Sequence, residues 1–113
     1  MNDQELGKLF AEKVLGWKED AFFWAEGIAL KVRFEDWHPC TDLNQAMLGI
    51  DRLATDGWLP NLGRHAPQSV WAARLLGDLE HEQYQMIVHV EDNHPAKAIV
   101  KACLKAVEVE IEA

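Results

Sequence analysis

The spacing of apolar positions near the N-terminus predicts a helix from Asp3 to Leu15. Its apolar side chains recur every three or four residues, as Leu6, Leu9, Phe10 and Val14. This is the spacing of one helix face. Gly16 follows and predicts a left-handed C-terminal cap, with Trp17 folding back over the last turn.

Two segments alternate with a period of two and predict strands. In residues 28–34 the side chains on one side are Ile28, Leu30, Val32 and Phe34. Residues 21–26 are expected to lead into this strand as a hairpin partner that turns at Glu26-Gly27. The second alternating strand runs from Tyr84 to Val90.

Two further helices are indicated by capping residues and apolar stripes. Thr41 is the expected N-cap of the first, with Asp42 at the positive end of the helix dipole and Asp56-Gly57 at its end. Its stripe is Leu43, Ala46, Met47, Ile50, Leu53 and Ala54. The other begins after Asn93 or His94, with Pro95 in its first turn. Its face is Ile99, Ala102, Cys103, Ala106 and Val107. It is expected to end near Val107, because the glutamates that follow oppose the dipole.

The segments between these elements are harder to assign. Trp58 to Gln68 holds two prolines and a glycine and is predicted to be an irregular loop, with a short extended piece at Trp58-Leu59. Ser69 to Glu80 fits either a helix capped by Ser69 or a strand from Val70 to Leu76 that turns after Gly77-Asp78. Periodicity alone does not decide between them.

The order of elements predicts one α/β (α+β) sandwich domain over residues 1–113, with an acidic tail at 108–113. A small, mainly antiparallel sheet is expected to pack between helices in the order α-β-α-β-β-α. The expected core is Leu6, Phe10, Val14, Ile28, Leu30, Val32, Leu43, Met47, Ile50, Val88, Val90, Ile99 and Cys103.

Charge and composition narrow the classes of partner. The 113 residues carry 19 acidic and 11 basic side chains, for a formal charge of −8, so direct nucleic-acid binding is not expected. A partner protein with a basic surface fits better. No apolar run approaches the roughly 20 residues of a membrane helix. With two cysteines and a polar start, the chain is expected in a cytoplasm, with reduced thiols.

No chemical motif predicts catalysis, a metal or a cofactor. Cys40 lies at a predicted helix N-terminus, which would stabilise a thiolate, but the nearby Asp42 raises the thiol pKa. His81, His89 and His94 do not have the spacing of a zinc site. The paired carboxylates lie at element ends, where solvated acids are common. We therefore expect no enzymatic activity.

The tryptophans, arginines and acids supply the candidate binding residues. Trp17 and Trp71 are expected in the core, whereas three tryptophans in or beside loops, Trp24, Trp37 and Trp58, are candidate recognition anchors. The arginines that could neutralise a phosphate are Arg33, Arg52, Arg64 and Arg74. Residues 77–94 contain no lysine or arginine, and their acids are Asp78, Glu80, Glu82, Glu91 and Asp92. This stretch is either a solvated hairpin or a docking face for a basic partner.

Four segments in order carry a family resemblance: residues 11–17, Trp37-His38-Pro39-Cys40-Thr41-Asp42, Val70-Trp71-Ala72-Ala73, and residues 93–107. The chain resembles the phage ABA-sandwich domain family, small α/β proteins of tailed phages and prophages. The resemblance implies a phage origin, implies no catalytic residues, and favours the strand over Val70 to Leu76. The chain departs from the family at Asn61 to Gln68 and in the acidic tail.

Two functions are expected from these features. The first is a small non-enzymatic phage accessory protein that binds and inhibits a host protein, such as an anti-phage defence factor, in the host cytoplasm. The second is a nucleotide-sequestering protein that holds a small nucleotide through loop tryptophans and arginines. Alternating apolar and acidic residues from Val107 to Ile111 also predict a homodimer through the C-terminal region, with a disordered tail on a monomer as the alternative.

Overall fold

A computed structural model describes residues 2–65, 70–78, 85–107 and 109. The helices are α1 (Asp3–Leu9), a π-helical turn (Phe10–Val14), a 3-10 turn (Phe34–Asp36), α2 (Leu43–Ala54) and α3 (Pro95–Ala106). The strands are β1 (Lys18–Asp20), β2 (Phe23–Glu26), β3 (Ala29–Arg33), β4 (Trp58–His65), β5 (Val70–Asp78) and β6 (Gln85–Asp92). The mixed α+β class, the antiparallel pairing and the rough order of elements are as the sequence predicts.

The strands form two antiparallel sheets of three, in the orders β1-β2-β3 and β4-β5-β6. The sequence predicted one small sheet. Each sheet is a local meander, and α2 separates the two in the chain, so each set of strands pairs with its sequence neighbours. The β2–β3 hairpin turns at Gly27-Ile28, close to the predicted position, and β5 confirms the strand interpretation of residues 70–76.

Helix α3 lies at the centre of the core and packs against α1, α2, the π-helical turn, β5 and β6. Seven predicted core residues are buried: Leu6, Phe10, Val14, Ile50, Val90, Ile99 and Cys103. Val32 and Val88 are half-buried and pack against this cluster.

Four predicted core residues are exposed: Ile28, Leu30, Leu43 and Met47. Ile28 is completely accessible because it lies in the hairpin turn, before β3 begins. On α2 the buried positions are Ala46, Gly49, Ile50 and Leu53. This stripe is narrower than predicted and leaves Leu43 and Met47 at its margin.

The first helix does not continue regularly to Leu15. After Leu9 it widens into the π-helical turn, where Leu15 N donates to Phe10 O over 3.2 Å. A π-helical turn contains one residue more than an α-helical turn. Within it the adjacent residues Phe10 and Ala11 are both fully buried. Gly16 then adopts a φ of +71°, and Trp17 N donates to Ala11 O over 2.9 Å, which confirms the predicted cap and fold-back.

The predicted loop after α2 is wrong over residues 58–65, because they form β4. Within the described residues β4 pairs only with β5, in a register that places Pro60 opposite Leu75. An edge strand tolerates a proline, whose missing N–H need not join a ladder. The rest of the predicted loop, 66–68, lies outside the described residues.

The caps refine the predicted helix boundaries. Asp42, rather than Thr41, caps α2: its Oδ1 accepts from Gln45 N over 3.2 Å. Of the two alternatives at α3, His94 is the cap, with Nδ1 accepting from Ala96 N over 3.2 Å. Helix α3 ends at the predicted place.

The start of the C-terminal tail lies against the chain's own core. Val109 is half-buried there, and its N–H donates to Leu104 O over 2.9 Å. The other residues after Val107 lie outside the described part. No helix among the described residues is both long and apolar enough to cross a bilayer.

Candidate functional site

Two of the three candidate tryptophan anchors, Trp24 and Trp37, line the same cavity. The cavity has a volume of about 360 Å³ and lies between α1 and the sheet of β1, β2 and β3. Its lining residues are Asn2, Gln4, Glu5, Lys8, Glu19, Trp24, Phe34 and Trp37. The third candidate, Trp58, lies half-buried at the start of β4.

The floor of this cavity belongs to a buried aromatic cluster. The Trp37 ring stacks on Phe10 with centroids 6.0 Å apart and tilts against Trp17 at 5.0 Å. Trp24 meets Phe34 edge-on at 5.2 Å. Trp24 and Trp37 are only 4% and 8% exposed, so they belong to the core as well as to the cavity. A ligand would therefore reach only a small part of either ring.

The rim of the cavity is polar and carries more negative than positive charge. Lys8 Nζ lies 3.7 Å from Glu19 Oε1, which joins α1 to β1. Glu5 lies on the same face of α1, nearly one turn before Lys8. The rim therefore holds two carboxylates and one ammonium, over an apolar floor.

The other candidate binding residues do not join this cavity. Arg64 and Asp78 lie in β4 and β5, and the positions of their side chains are outside the description. Glu80 and Glu82, two of the five acids of the predicted docking face, fall outside the described residues, whereas Glu91 and Asp92 lie at the end of β6. Trp71 is half-buried in β5, and Trp17 is buried as predicted.

The described arginine side chains are dispersed and engaged with other groups. Arg33 lies 5.6 Å from the centre of the Phe23 ring, and its Nη1 lies 3.3 Å from Glu35 Oε1. Arg52 lies 3.6 Å from Asp56. Arg74 Nε donates to His89 Nδ1 over 2.9 Å. None of these three lines the cavity with Trp24 and Trp37.

Cys40 is buried beside α1, with Sγ 3.8 Å from Asp3 O. Burial, and secondarily the Asp3 carboxylate, raises the pKa of its thiol to about 11. The sequence predicted a raised pKa but assigned it to Asp42. Such a thiol is protonated near neutral pH and is a poor nucleophile.

Two of the described histidines, His89 and His94, have polar partners. His94 caps α3, and His89 contacts Arg74 and also Glu91, with Nε2 3.1 Å from Oε1. His81 lies outside the described residues. Among the described residues, no three histidine, cysteine or carboxylate side chains are grouped so that they could hold a metal ion.

A second concave surface lies between α2 and β4. It is an almost wholly apolar groove of about 210 Å³ that includes Met47, Pro60 and Leu62. The exposed apolar side chains on these two elements are Leu43, Met47, Leu48, Leu59 and Leu62. Sequence analysis missed this groove because one wall, β4, was predicted to be a loop.

The chain matches no protein-family model, no curated protein and no solved structure. The resemblance to phage proteins therefore rests on sequence motifs alone. Any function must be inferred from the residues of this chain.

Proposed function

We propose that this protein is a non-enzymatic binding protein that receives a cationic side chain of a partner protein in the cavity between α1 and β1–β3. The observation that carries this proposal is the combination of an aromatic floor, at Trp24 and Trp37, with carboxylates at the rim, at Glu5 and Glu19. Its volume of about 360 Å³ falls at the lower end of the size of ligand pockets, about 300–1,000 Å³.

A lysine or arginine side chain matches this lining along its length. Its methylene groups can lie against Phe34 and Trp37, while its charged head reaches Glu5 and Glu19 at the rim. The ammonium group of Lys8 already makes such a contact with Glu19. An incoming cation therefore replaces or shares that contact, and arginine is favoured because its planar fork can bond to two carboxylate oxygens at once.

The charge of the whole chain supports the same class of partner. A formal charge of −8 attracts a basic surface from a distance and speeds the encounter. Because this attraction is screened beyond about 10 Å at 0.1 M salt, added salt should slow association.

The phage resemblance leads us to propose a host protein as the partner. In this proposal the chain is a phage accessory protein that acts in the host cytoplasm by occupying a basic surface that the host protein needs. An anti-phage defence factor that uses such a surface to bind nucleic acid is a fitting target, because an acidic inhibitor can compete for it.

Sequestering a nucleotide is the less favoured function. A base that stacks needs an open ring face, and Trp24 and Trp37 are almost completely buried. A phosphate needs cations, and the only cation in this lining is Lys8, which faces Glu19. Isothermal titration with cyclic and linear nucleotides tests this alternative; tight binding with release of unchanged ligand would support it.

The proposed function is tested by reversing charge at the rim. The variant Glu5→Lys/Glu19→Lys is compared with Glu26→Lys/Asp51→Lys, which makes the same change in net charge at exposed positions outside the cavity. Partners are captured from host lysate on immobilised protein, and the dissociation constant of any captured protein is measured at several salt concentrations.

We expect the wild-type and the control to retain a partner that the rim variant loses, and the partner's activity to fall when wild-type protein is added. Equal binding by the two variants would show that net charge alone matters and would contradict the cavity. Capture of no partner at any salt concentration would argue against the function as a whole.

A further inference from the structure

Phe34, in the 3-10 turn after β3, lines three concavities of the surface. The first is the cavity of about 360 Å³ described above. The second, of about 420 Å³, is formed by the 3-10 turn, the start of α1 and the loop before α2, and it shares Gln4, Phe34 and Trp37 with the first. The third, of about 330 Å³, lies at the β1–β2 turn and shares Phe34 and Glu35 with the second. The three concavities therefore adjoin one another in this order around Phe34.

The third concavity is lined mainly by phenylalanines. Its lining residues are Phe22, Phe23, Arg33, Phe34 and Glu35. The cation among these five residues is already engaged, because Arg33 lies 5.6 Å from the centre of the Phe23 ring and its Nη1 lies 3.3 Å from Glu35 Oε1. An apolar side chain is the occupant that the three phenylalanines favour.

Phe22 is held at this concavity by its backbone, although the residue is 79% exposed. It is the second residue of the two-residue turn between Asp20 and Phe23, which pair across the hairpin. The first turn residue, Ala21, has a φ of +53°, a conformation that costs a residue with a Cβ about 1 kcal/mol. Phe22 O also accepts a hydrogen bond from Phe34 N over 2.9 Å. The turn therefore presents a large apolar side chain to solvent in a fixed place, which is typical of a residue that contacts a partner.

The lining of the three concavities carries more negative than positive charge. The carboxylates among the described lining residues are Asp3, Glu5, Glu19 and Glu35, and the cations are Lys8 and Arg33. The excess of negative charge lies in the first and second concavities, because the third has one charge of each sign.

Glu5 makes the first concavity the best place for an incoming cation. The other three carboxylates already contact a lysine or arginine, as Glu19 with Lys8, Glu35 with Arg33, and Asp3 with Lys97. Glu5 makes no such ion pair with a described residue. An occupant that fits the whole site is therefore basic at one end and apolar at the other.

We propose that the partner supplies a linear segment in extended conformation, with a basic side chain in the first concavity and an apolar side chain in the third. This inference rests on the proposed function and specifies which part of the partner binds. Successive side chains of an extended chain can enter adjoining concavities. A single arginine or lysine on the convex surface of a folded domain would fill only the first.

The size of the concavities gives the spacing of these two side chains. A concavity of about 360 to 420 Å³ is about 7 Å across, which is roughly two residues of extended chain at about 3.3 Å per residue. The first and third concavities are two such widths apart, so the basic and apolar residues should be about four positions apart. Residues four apart in an extended chain project to the same side, so both can face the protein.

A display library of random linear peptides tests this inference. Peptides are selected on the immobilised full chain, the best binder is synthesised, and its dissociation constant is measured by fluorescence polarisation. We expect the selected peptides to share a lysine or arginine and an apolar residue about four positions apart.

The variants Phe22→Ser and Ile28→Ser form a matched pair. Both residues are exposed in turns of the same sheet, but Ile28 does not line the three concavities. Phe22→Ser should weaken binding of the selected peptide about tenfold or more, and Ile28→Ser should leave it unchanged. Against a peptide whose apolar residue is replaced by serine, Phe22→Ser should have no further effect. Circular dichroism checks that each variant is folded.

Two results would overturn this inference and leave the proposed function intact. The first is a set of peptides that Glu5→Lys/Glu19→Lys loses but Phe22→Ser binds as tightly as the wild-type protein, which would confine the contact to the first concavity. The second is no selected peptide at all, while a folded partner from lysate still depends on Glu5 and Glu19, which would make the occupant a folded surface. Peptides that the Glu5→Lys/Glu19→Lys variant binds as tightly as the wild-type protein would contradict both proposals.

Discussion

The indole Nε1–H of Trp37 donates a hydrogen bond of 2.8 Å to the backbone carbonyl of Gly7, across 30 residues of chain. Gly7 also leaves room for Pro39 beside this bond: a Cβ there would lie 3.3 Å from Cδ of Pro39, tighter than an ordinary van der Waals contact. The loop before α2 is thereby fixed against α1. This contact positions the floor of the proposed binding cavity.

Replacement of Trp37 should therefore cost stability as well as binding. We expect Trp37→Phe to lower the free energy of unfolding by about 2 kcal/mol, from the lost hydrogen bond and the smaller ring. Urea denaturation followed by circular dichroism measures this. The control is Phe22→Leu, at a residue that is 79% exposed, which should change stability by less than about 0.5 kcal/mol. Equal effects would contradict the buried position of Trp37.

Gly49 should not tolerate a side chain. A Cβ at this position of α2 would lie 2.4 Å from Cε2 of Phe10. Overpacking costs about 1–3 kcal/mol, which exceeds the helix preference of alanine over glycine, about 1 kcal/mol. We expect Gly49→Ala to lower the thermal midpoint.

A double-mutant cycle provides the control for Gly49. In a Phe10→Leu background the ring is gone, so Gly49→Ala should cost less than in the wild-type protein. The same cost in both backgrounds would show that the clash with Phe10 is not the cause.

The hairpin of β2 and β3 contains two apolar residues whose replacement by aspartate should affect stability differently. Val32 is half-buried against the core, and Ile28 is fully exposed in the turn. Val32→Asp should lower the free energy of unfolding by about 2 kcal/mol or more, because it brings a charge against apolar surface. Ile28→Asp should change it by less than about 0.5 kcal/mol. Comparison of the two melting temperatures checks this; an unchanged midpoint for Val32→Asp would contradict the position of β3.

The ion pair between Lys101 and Asp92 should stabilise the start of α3 above about pH 4. Its atoms lie 2.8 Å apart, and both side chains are largely buried. Burial alone would raise the pKa of Asp92, but hydrogen bonds from Lys101 and His94 N outweigh it and hold the pKa below 3.8. Since the unfolded chain takes up the proton first, this stabilisation is present above the ordinary carboxyl pKa and is lost as the pH falls below it.

Lys101→Met removes one partner and keeps the length of the side chain. We expect a loss of about 1–2 kcal/mol at pH 7 and a weaker fall in stability between pH 4 and pH 2, measured by urea denaturation at each pH. Lys105→Met, at an exposed position of α3, is the control. A pH profile parallel to that of the wild-type protein would refute the pairing.

The two buried thiols should make the protein less stable in alkali. Burial raises the pKa of Cys40 from 9.0 to about 11 and that of Cys103 from 9.0 to about 12. Above pH 9 the thiols ionise in the unfolded chain before they do so in the folded chain. Stability therefore falls as the pH rises, by up to about 1.4 kcal/mol per pH unit for each thiol.

The variant Cys40→Ala/Cys103→Ala isolates this effect. All other ionisable groups are the same in the two proteins, so the slope of stability against pH, not its level, is compared. We expect a shallower slope between pH 9 and pH 11 in the variant. Identical slopes would contradict the burial of the thiols.

The sequence located part of the candidate site but not its geometry. Trp24 and Trp37 were identified as candidate anchors from their places beside loops. The two tryptophans line one cavity because α1 packs against the β1–β3 sheet. The same packing places Glu5 of α1 and Glu19 of β1 at one rim. No pattern in the neighbouring sequence indicates that Glu5 and Glu19 lie close together. The groove beside β4 was missed because Pro60 and Gly63 are loop signals that an edge strand also tolerates.

The sequence by itself determined the class of the fold and the places where most elements begin or end. Apolar periodicity, Gly16, Pro95 and the capping residues act within a few positions along the chain, so they can be found there. Tertiary structure alone decided the π-helical turn at Phe10 and the exposure of Leu43 and Met47. Each of these depends on which surfaces meet across long separations in sequence, where burial of apolar area outweighs local preference.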